Sequence, residues 1–170
     1  MDVMHIKKNV CDNVMWVFMC AKGKSKDNVN SHHDLQKMSL RKSLHLQVKG
    51  ENKVYMPTAQ YKMSKSKKDA FLHILKMVNG LSDYYNISKH VNTNGKTLKG
   101  LKSHANHILI QKSMPISIRN CFPENVVKPL IELGNFLRQI CFTNFRTCHL
   151  QSKQDRITLP LFHLEKLFPH

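Results

Sequence analysis

The sequence predicts a mainly α-helical domain of irregular architecture, with one small β-hairpin and an extended basic linker. Three observations carry that prediction. Apolar residues recur at three- and four-residue steps in several separate stretches, the period of a helix that buries one face. Strict alternation of apolar and polar residues, the signature of a half-buried strand, occurs in one place. Between residues 22 and 41 apolar residues become sparse, and Lys, Asn, Ser and His take over. A chain of 170 residues can bury a real core, and a hydrophobic content of 41% argues against wholesale disorder.

Asp2 is placed to cap a helix that starts at once, and Val3, Ile6, Val10, Val14, Val17 and Phe18 form its expected apolar face, with Gly23 ending it. In the linker that follows, only Leu35, Met38 and Leu40 hint at a short helical turn. Leu44, Leu46 and Val48 alternate with polar residues, and Val54 and Met56 follow a turn at 49–52, so a small hairpin is expected there. Pro57 limits it to a short pairing. Ser64 caps a predicted helix to about Val78, with Phe71, Leu72, Leu75 and Val78 as its face. A weaker helical stretch is expected over 82–94, closed by the turn signal Asn94-Gly95. A further helix is expected over 98–112, with Leu101, Ala105, Ile108 and Leu109 on one side and Pro115 stopping it. The clearest helix begins at Pro123, a residue suited to a first helical position, and runs to Cys141. Gly134 within it costs roughly 1 kcal/mol of helix propensity and points to close packing. A last amphipathic stretch over 150–168 is expected to break or kink at Pro160.

Charge is the strongest compositional signal. Lys and Arg number 27 against 11 Asp and Glu, a net charge of +16. Such an excess favours a polyanionic partner, most often nucleic acid. The candidate phosphate contacts are Lys62, Lys65, Lys67, Lys68, Lys99 and Lys102. The excess is spread along the chain: 14 Lys and Arg against 5 acids up to residue 68, and 13 against 6 after it. Three of these lysines would oppose the dipole in the first turn of the helix after Ser64, which is unfavourable unless an anion or acid lies near. The five cysteines are widely spaced and form no CxxC pair, which suits a reduced compartment with cysteines as small core residues. No apolar run is long enough to span a bilayer. Asp2, Asp12 and Asn13 spoil the resemblance of the first twenty residues to a signal peptide, so a nuclear or cytoplasmic, non-secreted chain is expected, with no membrane partner.

Few constellations carry chemistry. His104 and His107 stand three apart on a predicted helix and could share a face and a metal, but no third ligand lies nearby in sequence. Cys148-His149 are adjacent and would not face each other on a helix, and His32-His33 lack apolar context and are expected in solvent. Asp2, Asp12, Asp34, Glu124, Glu132 and Glu165 are the acids available to a metal pair, and their spacing singles out no trio. There is no phosphate-binding loop, no dinucleotide fingerprint, no nucleophile elbow and no aromatic RNA-binding motif. No small-molecule substrate is therefore expected.

Asp2-Val3-Met4-His5-Ile6 followed by Lys8-Asn9-Val10-Cys11-Asp12-Asn13 resembles a segment of the plant CACTA (En/Spm-like) transposases. Asp34-Leu35-Gln36, Arg41-Lys42 and Leu44-His45 resemble the next. Gly100-Leu101-Lys102-Ser103-His104, with His107-Ile108-Leu109-Ile110-Gln111, resembles a third. Residues 115–119, Pro123, Asn125-Val126, residues 130–133 and residues 164–169 continue the likeness collinearly.

The resemblance implies that residues 1–60 are the C-terminal edge of a transposase catalytic region plus a linker. It implies that residues 61–170 are the helical domain of unknown function that follows, cut short of the family pattern. The family's catalytic region is held to be an RNase H-like core that cuts and joins DNA with acids and Mg²⁺. In that light Asp2 and His5 resemble an Asp-x-x-His signature near a catalytic acid, and Glu132 is a candidate carboxylate. With the upstream acids absent, no independent catalysis is expected, and Mg²⁺ enters only if the chain is an active transposase subunit. The expected partners are DNA, bound without sequence specificity, and other transposase subunits, assembled through the helix that holds Gly134. Three departures from the family pattern stand out: Lys7 in place of an acid, Ala105-Asn106 in place of Asp-Cys, and a degraded string at 79–84.

Overall fold

The computed structural model describes residues 3–48, 50, 53–78, 87–140 and 148–168, with backbone only for residue 3 and residues 148–154. The fold is mainly α, with two small antiparallel hairpins. In order it comprises α1 (Val3–Phe18), α2 (Val29–Lys37), a 3-10 turn (Lys42–Leu44), β1 (Gln47–Val48), β2 (Val54–Tyr55) and α3 (Lys65–Met77). A second 3-10 turn (Ile87–His90), β3 (Val91–Asn92), β4 (Thr97–Leu98), α4 (Ser103–Ile108), a π-helical turn (Leu109–Ser113), α5 (Met114–Ser117), α6 (Glu124–Gln139) and α7 (Cys148–Leu167) follow. One hydrophobic cluster draws on α1, α2, α3, α5 and α6, and so runs across residue 60. α1 packs on α4, α3 on α5, and α6 on both α7 and the π turn.

α1 forms where its periodicity places it, but its buried stripe is rotated from the expected one. Lys7, Cys11, Met15 and Phe18 face the core, while Ile6, Val10 and Val14 are only half-buried. A pattern reading excludes lysine from a core face. Here the apolar stem of Lys7 is buried, and its amine lies 3.2 Å from Nδ1 of His107. The Gln111 amide oxygen, oriented to satisfy its neighbours, accepts from the same amine at 3.0 Å.

The stretch expected as a linker holds α2. Asn28 and Ser31 form a reciprocal capping box: the Asn28 side chain accepts from the Ser31 N–H at 3.1 Å, and Ser31 Oγ accepts from the Asn28 N–H at 3.1 Å. The hairpin expected near 44–56 is β1–β2, with Gln47 opposite Tyr55 and Val48 opposite Val54. α3 starts after Ser64, whose hydroxyl accepts from the Lys67 N–H, and its buried face is Phe71, Leu72 and Leu75.

The helix expected over 82–94 is corrected where it can be seen. Residues 79–86, including the whole degraded family string, lie outside the described residues, and 87–92 form a 3-10 turn and the strand β3. Residues 97–98 likewise form β4, so the helix expected from 98 begins only at Ser103. Asn94-Gly95 is the β3–β4 turn, held by Asn92 Oδ1 accepting from the Gly95 N–H at 2.7 Å.

Pro115 does not stop the helical run, and the reason is local. The chain winds through a π turn, the Met114 N–H is given to the Leu109 carbonyl, and α5 begins with Pro115 in its first turn. A proline is tolerated there because first-turn N–H groups lack helical acceptors anyway. The same arrangement leaves the Ile110 carbonyl with neither its α-helical donor nor its π-helical donor, because residue 115 has no N–H. That carbonyl faces Gly134 of α6, where an added Cβ would lie 2.8 Å from it.

Gly134 is therefore the point at which α6 meets the π turn. Gly134→Ala gains about 1 kcal/mol of helix propensity, yet must displace a backbone oxygen, and overpacking of that kind costs about 1–3 kcal/mol. A net loss of about 1–2 kcal/mol is expected, read as a lower urea midpoint at unchanged m. A raised midpoint would contradict the close approach.

Pro123 is the N-cap of α6, which starts at Glu124, one residue later than expected. Pro129, inside the helix, removes one backbone bond, and burial of Val126, Val127, Leu130, Leu133 and Leu137 holds the helix together around it. α7 runs on through Pro160, which neither ends nor breaks the element. Among the described residues, no helix is long and apolar enough to cross a membrane.

Candidate nucleic-acid interface

Among the described residues, a basic groove of about 650 Å³ lies between the C-terminal half of α1 and the β3–β4 hairpin. One wall is a helical stripe. Lys8, Asp12, Met15, Trp16 and Met19 recur at steps of three and four, so a single line of α1 faces the groove. The chain then turns through Ala21, Lys22 and Lys24 around its end. Lys96, Thr97, Leu98, Lys99, Gly100 and Leu101 form the other wall.

Local chemistry holds the hairpin wall. The Lys99 N–H donates to the His90 carbonyl at 3.2 Å, and His90 Nδ1 donates to the Lys99 carbonyl at 3.0 Å. Gly100 then turns with φ +74°, a conformation that L side chains rarely adopt, and an added Cβ would lie 3.3 Å from the His90 ring. Lys96 anchors the turn to α3 through an ion pair with Asp69 at 2.6 Å. Lys68 of α3 donates to the Met19 carbonyl at 2.7 Å, behind the α1 wall. The three lysines that oppose the dipole of α3 are thus partly relieved: one amine is drawn to a carbonyl, and Asp69 sits one residue beyond.

Among the described residues, five lysines line the groove, against one carboxylate. Asp12 is taken by Lys8 at 2.6 Å, and Lys96 is taken by Asp69. Lys22, Lys24 and Lys99 carry no acidic partner among the described residues. The Lys24 ammonium stands 5.4 Å from the centroid of the half-buried Trp16 ring, a loose cation–π contact over its face. Among the described residues, no Arg, Asn or Gln lines the groove.

Of the lysines expected to contact phosphate, Lys99 lies in the groove, and Lys102 is exposed just beyond Leu101. Lys65 and Lys67 are exposed in the first turn of α3. Lys62 is elsewhere, 2.8 Å from Asp27 Oδ2, with its side chain only 15% exposed. Sequence reasoning missed Lys8, Trp16, Lys22, Lys24 and Lys96. The clue was the lone tryptophan at the end of a helix that leads into a lysine-rich turn. Its partners at 96–99 lie some eighty residues away in the chain.

Among the described residues, the catalytic candidates His5 and Glu132 are not brought together. Asp2 lies outside the described residues. His5 is exposed on α1, and Glu132 lies on α6 beside a shallower groove with Arg119, Glu124 and Lys128. Among the described residues, no hydrogen bond or ion pair joins His5 to Glu132, and no group of three or more His, Cys, Asp or Glu could hold a metal ion. His104 and His107 do share a face of α4, with ring centroids 6.2 Å apart. Burial, together with the positive Lys7 beside it, keeps His107 below the usual histidine range, and its Nδ1 accepts from Lys7. Asp34 pairs loosely with Lys37 at 4.0 Å, and the Glu165 carbonyl accepts from Arg41. The Cys148 and His149 side chains lie outside the described residues.

His32 corrects the expectation of a solvated pair. Its neighbour His33 is exposed, but His32 is wholly buried: Nε2 is 2.7 Å from Asp27 Oδ1 and Nδ1 is 2.6 Å from the Leu44 carbonyl. The Tyr61 hydroxyl donates to Asp27 Oδ1 at 3.1 Å. This cluster is closed to solvent and ties α2 to the segment before α3. Gly134, expected at an assembly surface, is spent inside the fold on Ile110.

No protein family, curated protein or solved structure matches the chain.

Proposed function

We propose that this chain is a nucleic-acid-binding module of CACTA-transposase type, which holds the phosphate backbone without reading sequence and carries no reaction of its own. The observation that supports it best is the groove lined by Lys22, Lys24 and Lys99 around Trp16, with its single carboxylate already neutralised. Lysine ammoniums are point charges suited to phosphates, and among the described residues this groove has no Arg, Asn or Gln with the planar groups that pair bidentately with base edges. The collinear transposase-like strings support the same class of partner, in a nuclear or cytoplasmic setting.

The test is binding of mixed-sequence oligonucleotides as a function of salt. Each neutralised phosphate adds about −0.9 to the log–log slope on duplex and about −0.7 on a single strand. Lys22→Ala, Lys24→Ala and Lys99→Ala together are expected to make the slope shallower by about 2–3 and to weaken binding uniformly across sequences. A flat salt response, or a triple variant that keeps the parent affinity and slope, overturns the reading.

A further inference from the structure

We propose that the groove takes single-stranded nucleic acid, with an unstacked base laid on the indole of Trp16 and the adjoining phosphates held by Lys22, Lys24 and Lys99. This rests on the reading above and names the form of nucleic acid at the same site.

Three features of the groove carry it. First, Trp16 is an aromatic ring at the wall of a basic cleft, half-buried and so fixed in place. Cationic grooves that bind single strands combine backbone-tracking lysines with such stacking platforms. Second, the Lys24 ammonium stands over the ring at 5.4 Å, and it is the tip of an exposed side chain. A base can replace it over that face while the amine moves a short way to a phosphate, and the ring exchanges one π contact for another. Third, the space is small. A volume of about 650 Å³ is of the order that encloses a drug-sized ligand, and so a nucleotide-sized unit. The apolar remainder of the lining (Met15, Met19, Leu98 and Leu101) suits a base face better than a second phosphate. A duplex keeps its base faces inside its own stack and could offer this groove only phosphates.

Trp16 is the single tryptophan of the chain, so its fluorescence reports on this one site. The full chain is titrated at fixed salt with oligo(dT), oligo(U) and a mixed-sequence duplex of equal length. Both single strands are expected to quench the emission and to bind more tightly than the duplex. The tighter of the two assigns DNA or RNA as the preferred strand. Trp16→Ala is expected to weaken single-strand binding roughly 5- to 150-fold, the range for losing one stacked base, with duplex binding unchanged. Trp16→Phe, which keeps a ring face, restores most of the loss, and circular dichroism checks that both variants fold. Binding of single strands without quenching, duplex binding as tight as single-strand binding, or a Trp16→Ala chain with parent affinity would overturn the proposal while leaving phosphate binding intact. Absence of binding by every probe would instead overturn the groove itself.

Discussion

Asp27→Ala is expected to remove about 3–5 kcal/mol of folding stability, the range for deleting one partner of a buried, paired charge. The Asp27 side chain is wholly buried and takes three donors: His32, Tyr61 and Lys62. Each ring nitrogen of His32 lies against an oxygen, one of the Leu44 carbonyl and one of the Asp27 carboxylate. Removing the carboxylate leaves a buried imidazole nitrogen and a buried phenol without their partner, whereas Lys62, at 15% exposure, can swing outward. A loss below about 1 kcal/mol, the level of an exposed pair, would show that the cluster is not closed to water.

The pH dependence follows from the same geometry. Burial alone would raise the Asp27 carboxyl, but the combined effect of Lys62, His32 and Tyr61 outweighs it and holds the group below the usual carboxylate range. As pH falls, the unfolded chain therefore takes up this proton first. The stabilisation is complete above the unfolded value of about 3.9, declines as pH drops below it, and is lost below the folded value. The gap in urea stability between the parent and Asp27→Ala is expected to be widest near neutral pH and to narrow below about pH 4. A gap that stays constant across the acid range would contradict the ion pair.

Phe18→Ala is expected to cost about 3–5 kcal/mol, as for other fully buried aromatics. The ring sits 4.4 Å from that of Phe122, before α6, and 6.1 Å from that of Phe168, after α7. Phe168 in turn lies 5.0 Å from Tyr61, which hydrogen-bonds Asp27. The Phe18 carbonyl also accepts from the Met63 N–H at 3.4 Å. One side chain at the end of α1 thus joins segments more than a hundred residues apart. Removing it is expected to speed hydrogen exchange at the C-terminal end of α7 as well as to lower the urea midpoint. Phe18→Leu, which refills much of the volume, is expected to recover most of the loss. Unchanged protection of α7 in Phe18→Ala would show that its end is held by other contacts.

The sequence by itself determined the helical class, the Ser64 start of α3, the apolar face of α6, the hairpin at 47–55 and the tight packing at Gly134. Each of these follows from local periodicity, capping or backbone freedom, which are properties of a few neighbouring residues. Only the tertiary structure decided which lysines are spent and which face the groove. Lys7 finds a partner 100 residues away and Lys62 one 35 residues away, and both are buried or tied down, while Lys22, Lys24 and Lys99 line one groove with Trp16. It also turned a polar stretch that reads as linker into α2 and a buried Asp27–His32 pair. The physical reason is that burial of a polar group depends on whether a distant donor or acceptor arrives to satisfy it, and no local pattern records that arrival.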